Sequence, residues 1–234
     1  MAEFVVVFPL YPGVTQLDFT GPHQVFSRLP GAKVITASLG AQDIEADGLV
    51  FAKLADLDKV ERCDLICVPG GFGTTDAMLN TDFVDQIKRL AAGSKYVTSV
   101  CTGSLILAAA GLLAGKRAAT HWAWRELLVP FGVTVDESRV CRDGNVFTGG
   151  GVTAGIDLAL TVTAEMAGES FAQGVQLGIE YAPAPPFNSG RPETAPPEVL
   201  ARMQKNYGPA SSGRMAAAEE AARRLVPGGS QRVY

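Results

Sequence analysis

An α/β fold with a mostly parallel central sheet is predicted from three observations: short runs that are apolar throughout, helical stretches between them, and turns of small residues after them. Phe4-Val-Val-Val-Phe8, Val34-Ile-Thr-Ala37, Leu65-Ile-Cys-Val68 and Tyr96-Val-Thr-Ser-Val100 lack the alternation of a half-exposed strand, as expected of strands covered on both faces. Between them, Asp82 to Ala92 puts Phe83, Ile87 and Leu90 on one helical face, and Thr102 to Ala110 is rich in Ala and Leu. Strand alternating with helix implies a parallel sheet, because parallel neighbours need a crossover connection. Asn145 to Thr148 followed by Ala154 to Met166 repeats the unit across Gly149-Gly150-Gly151.

The alternating pattern ends near Tyr181. From Ala182 to Pro197, Pro183, Pro185, Pro186, Pro192, Pro196 and Pro197 oppose regular helix or central strand and predict an extended arm. Met215 to Leu225, Ala-rich with two Glu and two Arg, predicts a terminal helix before a fraying Gly228-Gly229-Ser230 tail. No internal repeat and no second domain are expected.

With 234 residues, 47% of them hydrophobic, the chain can bury the core of one ordinary domain plus appended structure. Its 20 Lys and Arg against 24 Asp and Glu form no basic patch or stripe, which argues against a nucleic-acid partner. The run Phe4 to Phe8 is too short for a signal-peptide core or a membrane span and has no basic residues ahead of it. A soluble cytoplasmic protein without membrane attachment is expected.

The cysteines are Cys63, Cys67, Cys101 and Cys141, in neither a zinc-module nor a thioredoxin-like spacing. Along one strand, Cys63 and Cys67 would stand roughly 13 Å apart, too far to bridge or share a metal. They read as small core hydrophobes. With only His23 and His121 to add, a structural metal site is short of ligands, so no metal is expected.

Cys101 differs in context. In Ser99-Val100-Cys101-Thr102-Gly103-Ser104 a buried strand ends and an apolar helix begins, which puts the sulfur at a carboxyl strand end, where ligands bind in open parallel sheets. The helix N-terminus favours thiolate, and Gly103 and Ser104 permit the sharp turn of a nucleophile elbow. The competing reading is one more buried thiol.

Asp18, in Gln16-Leu-Asp-Phe-Thr-Gly-Pro22, falls at the same sheet edge, where a loop passes to a helix starting near Pro22. By motif alone it serves equally as a helix cap or as a catalytic acid. Beside a thiolate, burial and like charge would raise its pKa and make it a proton donor near neutral pH. Val68-Pro69-Gly70-Gly71-Phe72-Gly73 offers amides that could bind a developing negative charge, or simply a tight turn. It lacks the spacing of a dinucleotide fingerprint. Gly149-Gly150-Gly151 allows either close packing or movement of the following helix. His121 is the one candidate base of the second half, and with Trp122 it serves either as base or as pocket lining. His23 reads as structural.

These motifs, with Gly115-Lys-Arg-Ala-Ala-Thr-His-Trp122 and Thr148-Gly-Gly-Gly-Val-Thr-Ala-Gly155, together resemble the ThiJ/PfpI superfamily (class I glutamine amidotransferase-like) over residues 3 to about 182. Within it, the Gln16–Pro22 segment, Thr98–Ser104 and Glu180-Tyr-Ala-Pro-Ala-Pro-Pro-Phe-Asn188 look closely similar to the isocyanide (isonitrile) hydratases. The resemblance implies a homodimeric, flavodoxin-like sandwich: a catalytic domain over 1–182, with the arm and helix of 183–234 packed on or between subunits. It implies a hydro-lyase that hydrates R-N≡C to an N-substituted formamide without a cofactor.

Carried onto this chain, Cys101 is the nucleophile and Asp18 the acid, with Thr102 beside them. Thr102 stands where protease-like members have histidine, and Asp18 where dicarbonyl-acting or oxidation-sensing members usually have glutamate. Both departures favour the hydratase branch. The thiolate would attack while Asp18 delivers a proton, giving a thioimidate that water then resolves. A small apolar substrate calls for an apolar pocket, with Phe19, Gly71, Phe72, Trp122 and Val152 as candidate lining. The rival functions are a glyoxalase or deglycase acting on dicarbonyls through Cys101 and His121, and a cysteine-based redox or ligand sensor. The sensor reading includes the ligand-binding half of AraC-type regulators. Those carry a further DNA-binding domain of about a hundred residues, whereas only a Pro-rich arm and one helix are expected to follow the core here.

Overall fold

The computed structural model describes residues 3–225; the tail expected at Gly228-Gly229-Ser230 lies outside them. The chain begins with β1 (Phe4–Pro9), α1 (Gln16–Phe26) and β2 (Ala32–Ser38), then makes a small hairpin of β3 (Ile44–Ala46) and β4 (Leu49–Phe51), followed by the short strand β5 (Ala55–Asp56). Next come β6 (Leu65–Val68), the adjoining helices α2 (Thr74–Leu79) and α3 (Thr81–Ala92), β7 (Tyr96–Val100) and α4 (Gly103–Ala109). Two-residue strands β8 (Arg117–Ala118) and β9 (Thr134–Val135) flank a 3₁₀ segment, Trp122–Phe131. The last strands are β10 (Val140–Asp143) and β11 (Val146–Gly149), and α5 (Ala154–Ala167), α6 (Glu169–Gly178) and α7 (Pro197–Leu225) complete the described chain.

Seven strands make the central sheet in the order β10-β11-β7-β6-β1-β2-β5, every pair parallel except β10 with β11. The uniformly apolar runs are the buried strands: each residue of β6 and of β7 is buried. Thr98, a polar residue inside β7, is tolerated because its hydroxyl donates to Ile66 O at 2.9 Å. In α3, Phe83, Ile87 and Leu90 face the core, and the Asn80 side chain caps the helix by accepting from Phe83 N. All seven residues of α4 are buried, which explains why that sequence is apolar on every side.

From β1 the chain moves through β2 to β5 on one flank, then returns beside β1 with β6 and continues to β7 and β11 on the other. The sheet therefore changes direction between β1 and β6. Crevices for ligands open at such points, outside the carboxyl ends of the strands. The segments carrying Asp18, Gly70-Gly71 and Cys101 follow β1, β6 and β7 there.

Two helices differ from expectation. α1 starts at Gln16 and contains Pro22, so Asp18 lies in its first turn rather than ahead of it. α7 begins at Pro197, where the expected arm ends, and runs through Pro209 to Leu225, well ahead of the helix start expected at Met215. Proline suits the first turn of a helix, but Gly208, Pro209 and Gly213 read locally as breakers. Tertiary contact overrides them. Tyr207 stands edge-on to Trp122 and Trp124, with ring centroids 5.8 and 5.4 Å away, and Ala217, Ala218 and Ala221 are buried. Such packing supplies most helical stability in proteins.

Gly103 shows how tightly the sheet edge is assembled. A Cβ there would collide with Val68 O and lie 2.8 Å from the backbone of Pro69, where no rotamer change can relieve it. Gly103→Ala should therefore cost about 2–3 kcal/mol, the upper range for overpacking. Urea unfolding of wild type and variant measures this, and an unchanged midpoint would contradict it.

Candidate active site

Cys101 joins β7 to α4 with φ of 56°. The left-handed region is unfavourable for a residue with a Cβ and persists only where its surroundings hold it. Its N–H faces Gly150 O at 2.9 Å and Gly149 O at 3.1 Å, while its carbonyl accepts from Thr120 Oγ1 at 2.9 Å and Ser104 Oγ at 3.1 Å. The predicted elbow is present, and neighbours on both sides fix it.

Asp18 is fully buried. Its Oδ2 accepts from Gly70 N–H at 2.9 Å, and its Oδ1 has no hydrogen-bond partner among the described residues. The carboxyl is no helix cap: it is spent on the turn after β6. Burial, opposed by the Gly70 hydrogen bond and by the adjacent Cys101 thiol, raises its pKa to about 7. Thiol and carboxyl lie together without meeting hydrogen-bond geometry.

Burial first, and the Asp18 charge second, push the Cys101 thiol well above its ordinary range. The backbone N–H groups of Thr102 and Val152 pull the other way. The helix end favours thiolate as expected but is outweighed. α4 is short and buried, so desolvation outweighs its terminal amides.

Thr102 is tied into a hydroxyl chain. Its Oγ1 accepts from Gly71 N–H at 3.0 Å and lies 2.7 Å from Thr74 Oγ1, which lies 3.0 Å from the Tyr11 hydroxyl. The Tyr11 O–H donates to Pro69 O at 2.9 Å. Of the two uses open to this glycine-rich turn, the Gly70 and Gly71 amides are engaged by Asp18 and Thr102 rather than left free for a developing charge. This turn positions the acid and the threonine. Gly70 permits the approach, since a Cβ on it would lie 2.5 Å from Thr102 N.

The expected pocket lining divides. Phe19 is buried edge-on against Phe51, 4.7 Å between centroids, so its ring fills the core. Phe72 is 72% exposed, outside the buried cluster around Cys101. Val152 lies on the loop before α5, and its N–H favours charge on the Cys101 sulfur. Trp122 and Val152 share a cavity of about 190 Å³ with His121, Gly151, Arg125 and Arg191. The structure does not bring His121 into hydrogen bonding with Cys101 or Asp18. Its Nδ1 accepts from Ala123 N at 3.3 Å, and burial, then the charges of Arg214 and Arg125, lower its pKa to about 4. It is neutral at pH 7. No three His, Cys, Asp or Glu side chains among the described residues gather as metal ligands.

Sequence reading missed Tyr11, Thr74 and Arg214. The first two are ordinary core residues in the sequence, joined only by the turn after β6. Arg214 lay in a segment assigned no part in the site. Its guanidinium stacks on Trp124, 4.1 Å from the ring centroid.

This elbow, at the switch point of this sheet, defines a class, and the chain belongs to the DJ-1/PfpI family, whose model matches residues 5–165. The isonitrile hydratase of Pseudomonas putida is 48% identical over 219 residues, covering 93% of this chain and 96% of that protein. Drosophila melanogaster protein dj-1beta is 28% identical, covering 74% of this chain and 95% of that protein. The crystal structure of a ThiJ/PfpI family protein from Pseudomonas syringae superposes with a TM-score of 0.88 at 37% identity, covering 95% of this chain and 91% of that one. Among the described residues, no helix is long and apolar enough to cross a membrane.

Asp18 also predicts a pH dependence of stability. Its folded pKa lies above the ordinary 3.8, so its contribution is complete below about pH 4 and is lost as pH rises towards 7, on the order of 4 kcal/mol in all. Asp18→Asn keeps an acceptor for Gly70 and cannot ionise. Chemical unfolding from about pH 4 to about pH 7 should show the variant gaining on wild type by a few kcal/mol, and parallel curves would contradict this.

Proposed function

We propose that this chain is an isonitrile hydratase, converting R-N≡C and water to R-NH-CHO. The observation that carries the reading is the isolated pair of Cys101 and Asp18, a strained nucleophile against a buried carboxyl whose pKa near 7 lets it take and give a proton. The likeness to the Pseudomonas putida enzyme over nearly the whole chain supports the same conclusion.

In this mechanism the Cys101 proton passes to the Asp18 carboxylate as sulfur attacks the isocyanide carbon. The carbon receives that proton, so an S–C and a C–H bond form and a thioimidate, R-N=CH-S-Cys101, results. Water adds to the same carbon with proton transfer to nitrogen. The C–S bond then breaks, the sulfur recovers a proton, and formamide leaves. Sulfur and acid end as they began, and no cofactor takes part. The amides of Thr102 and Val152 steady the charge on sulfur, and Thr102 holds Gly71 in place. Gly71, Phe72, Phe19, Trp122 and Val152 are the proposed surroundings of the substrate, with Phe19 acting through packing from behind. We assign residues 1–182 to the catalytic domain and 183–234 to an arm and helix that pack on or between the subunits of a cytoplasmic homodimer.

The direct test is mass spectrometry of the protein mixed with an aryl isocyanide, with formamide followed in parallel and methylglyoxal as comparison substrate. Formamide release with a transient adduct on Cys101 is expected; turnover of methylglyoxal alone would overturn the proposal. Cys101→Ala should abolish turnover with the fold retained, and Asp18→Asn should lower kcat by ~10²–10⁴, the usual contribution of a general acid.

His121 separates this reading from a glyoxalase, which needs a base to move a proton between adjacent carbons. His121→Ala should keep at least about a tenth of wild-type isocyanide turnover, short of the ~10²–10⁴ loss of a general base. Steady-state kinetics decide it, and a loss beyond about a hundredfold in folded protein would place His121 in the catalytic set.

A further inference from the structure

Thr74 opens α2, is 1% exposed, and takes no part in the mechanism above. It stands at the centre of the hydroxyl chain that reaches Thr102. Four short contacts run through that chain: Tyr11 to Pro69 O at 2.9 Å, Tyr11 to Thr74 at 3.0 Å, Thr74 to Gly71 O at 2.8 Å, and Thr74 to Thr102 at 2.7 Å. Each hydroxyl brings one hydrogen, and burial keeps the Tyr11 phenol protonated by raising its pKa well above the ordinary range. Three hydrogens serve three of the four contacts at most. Thr102 takes part in only one of them, so every arrangement that serves three has Thr102 donating to Thr74. With that direction reversed, Thr74 Oγ1 and Gly71 O would lie 2.8 Å apart with no hydrogen between them, an unfavourable approach in a buried turn. The other acceptor in reach of Thr102, Gly71 O at 3.4 Å, is already met by the N–H of Thr74 at 3.2 Å and by its hydroxyl, which fill its two lone pairs.

We propose that Thr74 is a positioning residue of the cysteine site: it takes the hydroxyl hydrogen of Thr102 and so withholds that hydrogen from the neighbouring sulfur. Thr102 follows Cys101 directly, and its hydroxyl would favour charge on the sulfur if it donated there. A donor aimed at the sulfur before substrate arrives would stabilise thiolate, lower its intrinsic nucleophilicity and invite its oxidation. With the hydrogen held by Thr74, Cys101 keeps its proton at rest and gives it to Asp18 only as the S–C bond forms. Tyr11 secures the far end of the chain, with its hydroxyl on Pro69 O and its ring edge-on to Phe83 at 5.5 Å. The place of this device in the reaction cycle rests on the hydratase reading, whereas the arrangement of hydrogens exists without substrate.

Neutron diffraction from wild-type crystals exchanged into heavy water reads the arrangement directly, since it locates the hydrogens that a network of oxygens only implies. The deuterium of Thr102 should point at Thr74 Oγ1; a deuterium pointing at Cys101 Sγ, or one on Thr74 pointing at Thr102, would overturn the proposal. The consequence is read in solution from the rate at which iodoacetamide alkylates Cys101 at neutral pH, followed by peptide mass spectrometry with buried Cys63, Cys67 and Cys141 as internal references. Thr74→Val keeps the shape and frees the Thr102 hydrogen, so alkylation of Cys101 should quicken roughly three- to tenfold: one hydrogen bond to an anion raises the thiolate population about tenfold, and lower nucleophilicity takes back part of the gain. Thr74→Ser retains the acceptor and should restore the wild-type rate. In a Thr102→Val background there is no hydrogen to release, and Thr74→Val should add nothing, whereas a merely loosened turn would speed alkylation in both backgrounds. An unchanged rate in folded Thr74→Val, or a gain that persists without the Thr102 hydroxyl, counts against the proposal. Failure of the wild type to make formamide would count against the hydratase reading alone.

Discussion

The backbone contact between the turn after β6 and the elbow after β7 is the constraint on which the site depends. Gly70 lies against the amide of Thr102, and Gly103 against the carbonyls of Val68 and Pro69, at separations that leave no room for a side chain. With these segments in place, Gly70 N–H meets Asp18 and Gly71 N–H meets Thr102. Three strand ends are thereby locked to one another. The left-handed Cys101 is affordable because this framework, with the Gly149 and Gly150 carbonyls, leaves it no other course.

Rigidity of this kind sets the electrostatics. A nucleophile at a helix end exposed to water would gain from the terminal amides. Here the sulfur and the carboxyl are both desolvated, and each disfavours the charge of the other. Asp18 stands near the midpoint of its range at neutral pH, which suits the proton-transfer role proposed for it. Assigning fixed charges to the two groups separately would misstate how a coupled pair titrates.

Much of this was legible in the sequence, for physical reasons. The strands β6 and β7 could be bounded from composition because both faces are covered, leaving no polar alternation to blur their ends. Cys101 stood out because a small-residue turn between a buried strand and an apolar helix has few structural uses. The reach of α7 was not legible, since Gly208, Pro209 and Gly213 argue against helix locally, and only the ring contacts of Tyr207 show why it persists. Nor could sequence separate Phe19 from Phe72: one ring fills the core against Phe51 and the other stands in solvent.

By itself, then, the sequence determined the parallel α/β architecture and the elbow, because apolar periodicity and turn chemistry are local properties of the chain. Tertiary structure decided the protonation behaviour of Cys101 and Asp18, the use of the Gly70 and Gly71 amides, the hydroxyl chain through Thr74 and Tyr11, and the stacking of Arg214 on Trp124. Each of these depends on how deeply a group is buried and on which distant residue meets it. Those quantities exist only once strands far apart in the sequence have been packed together.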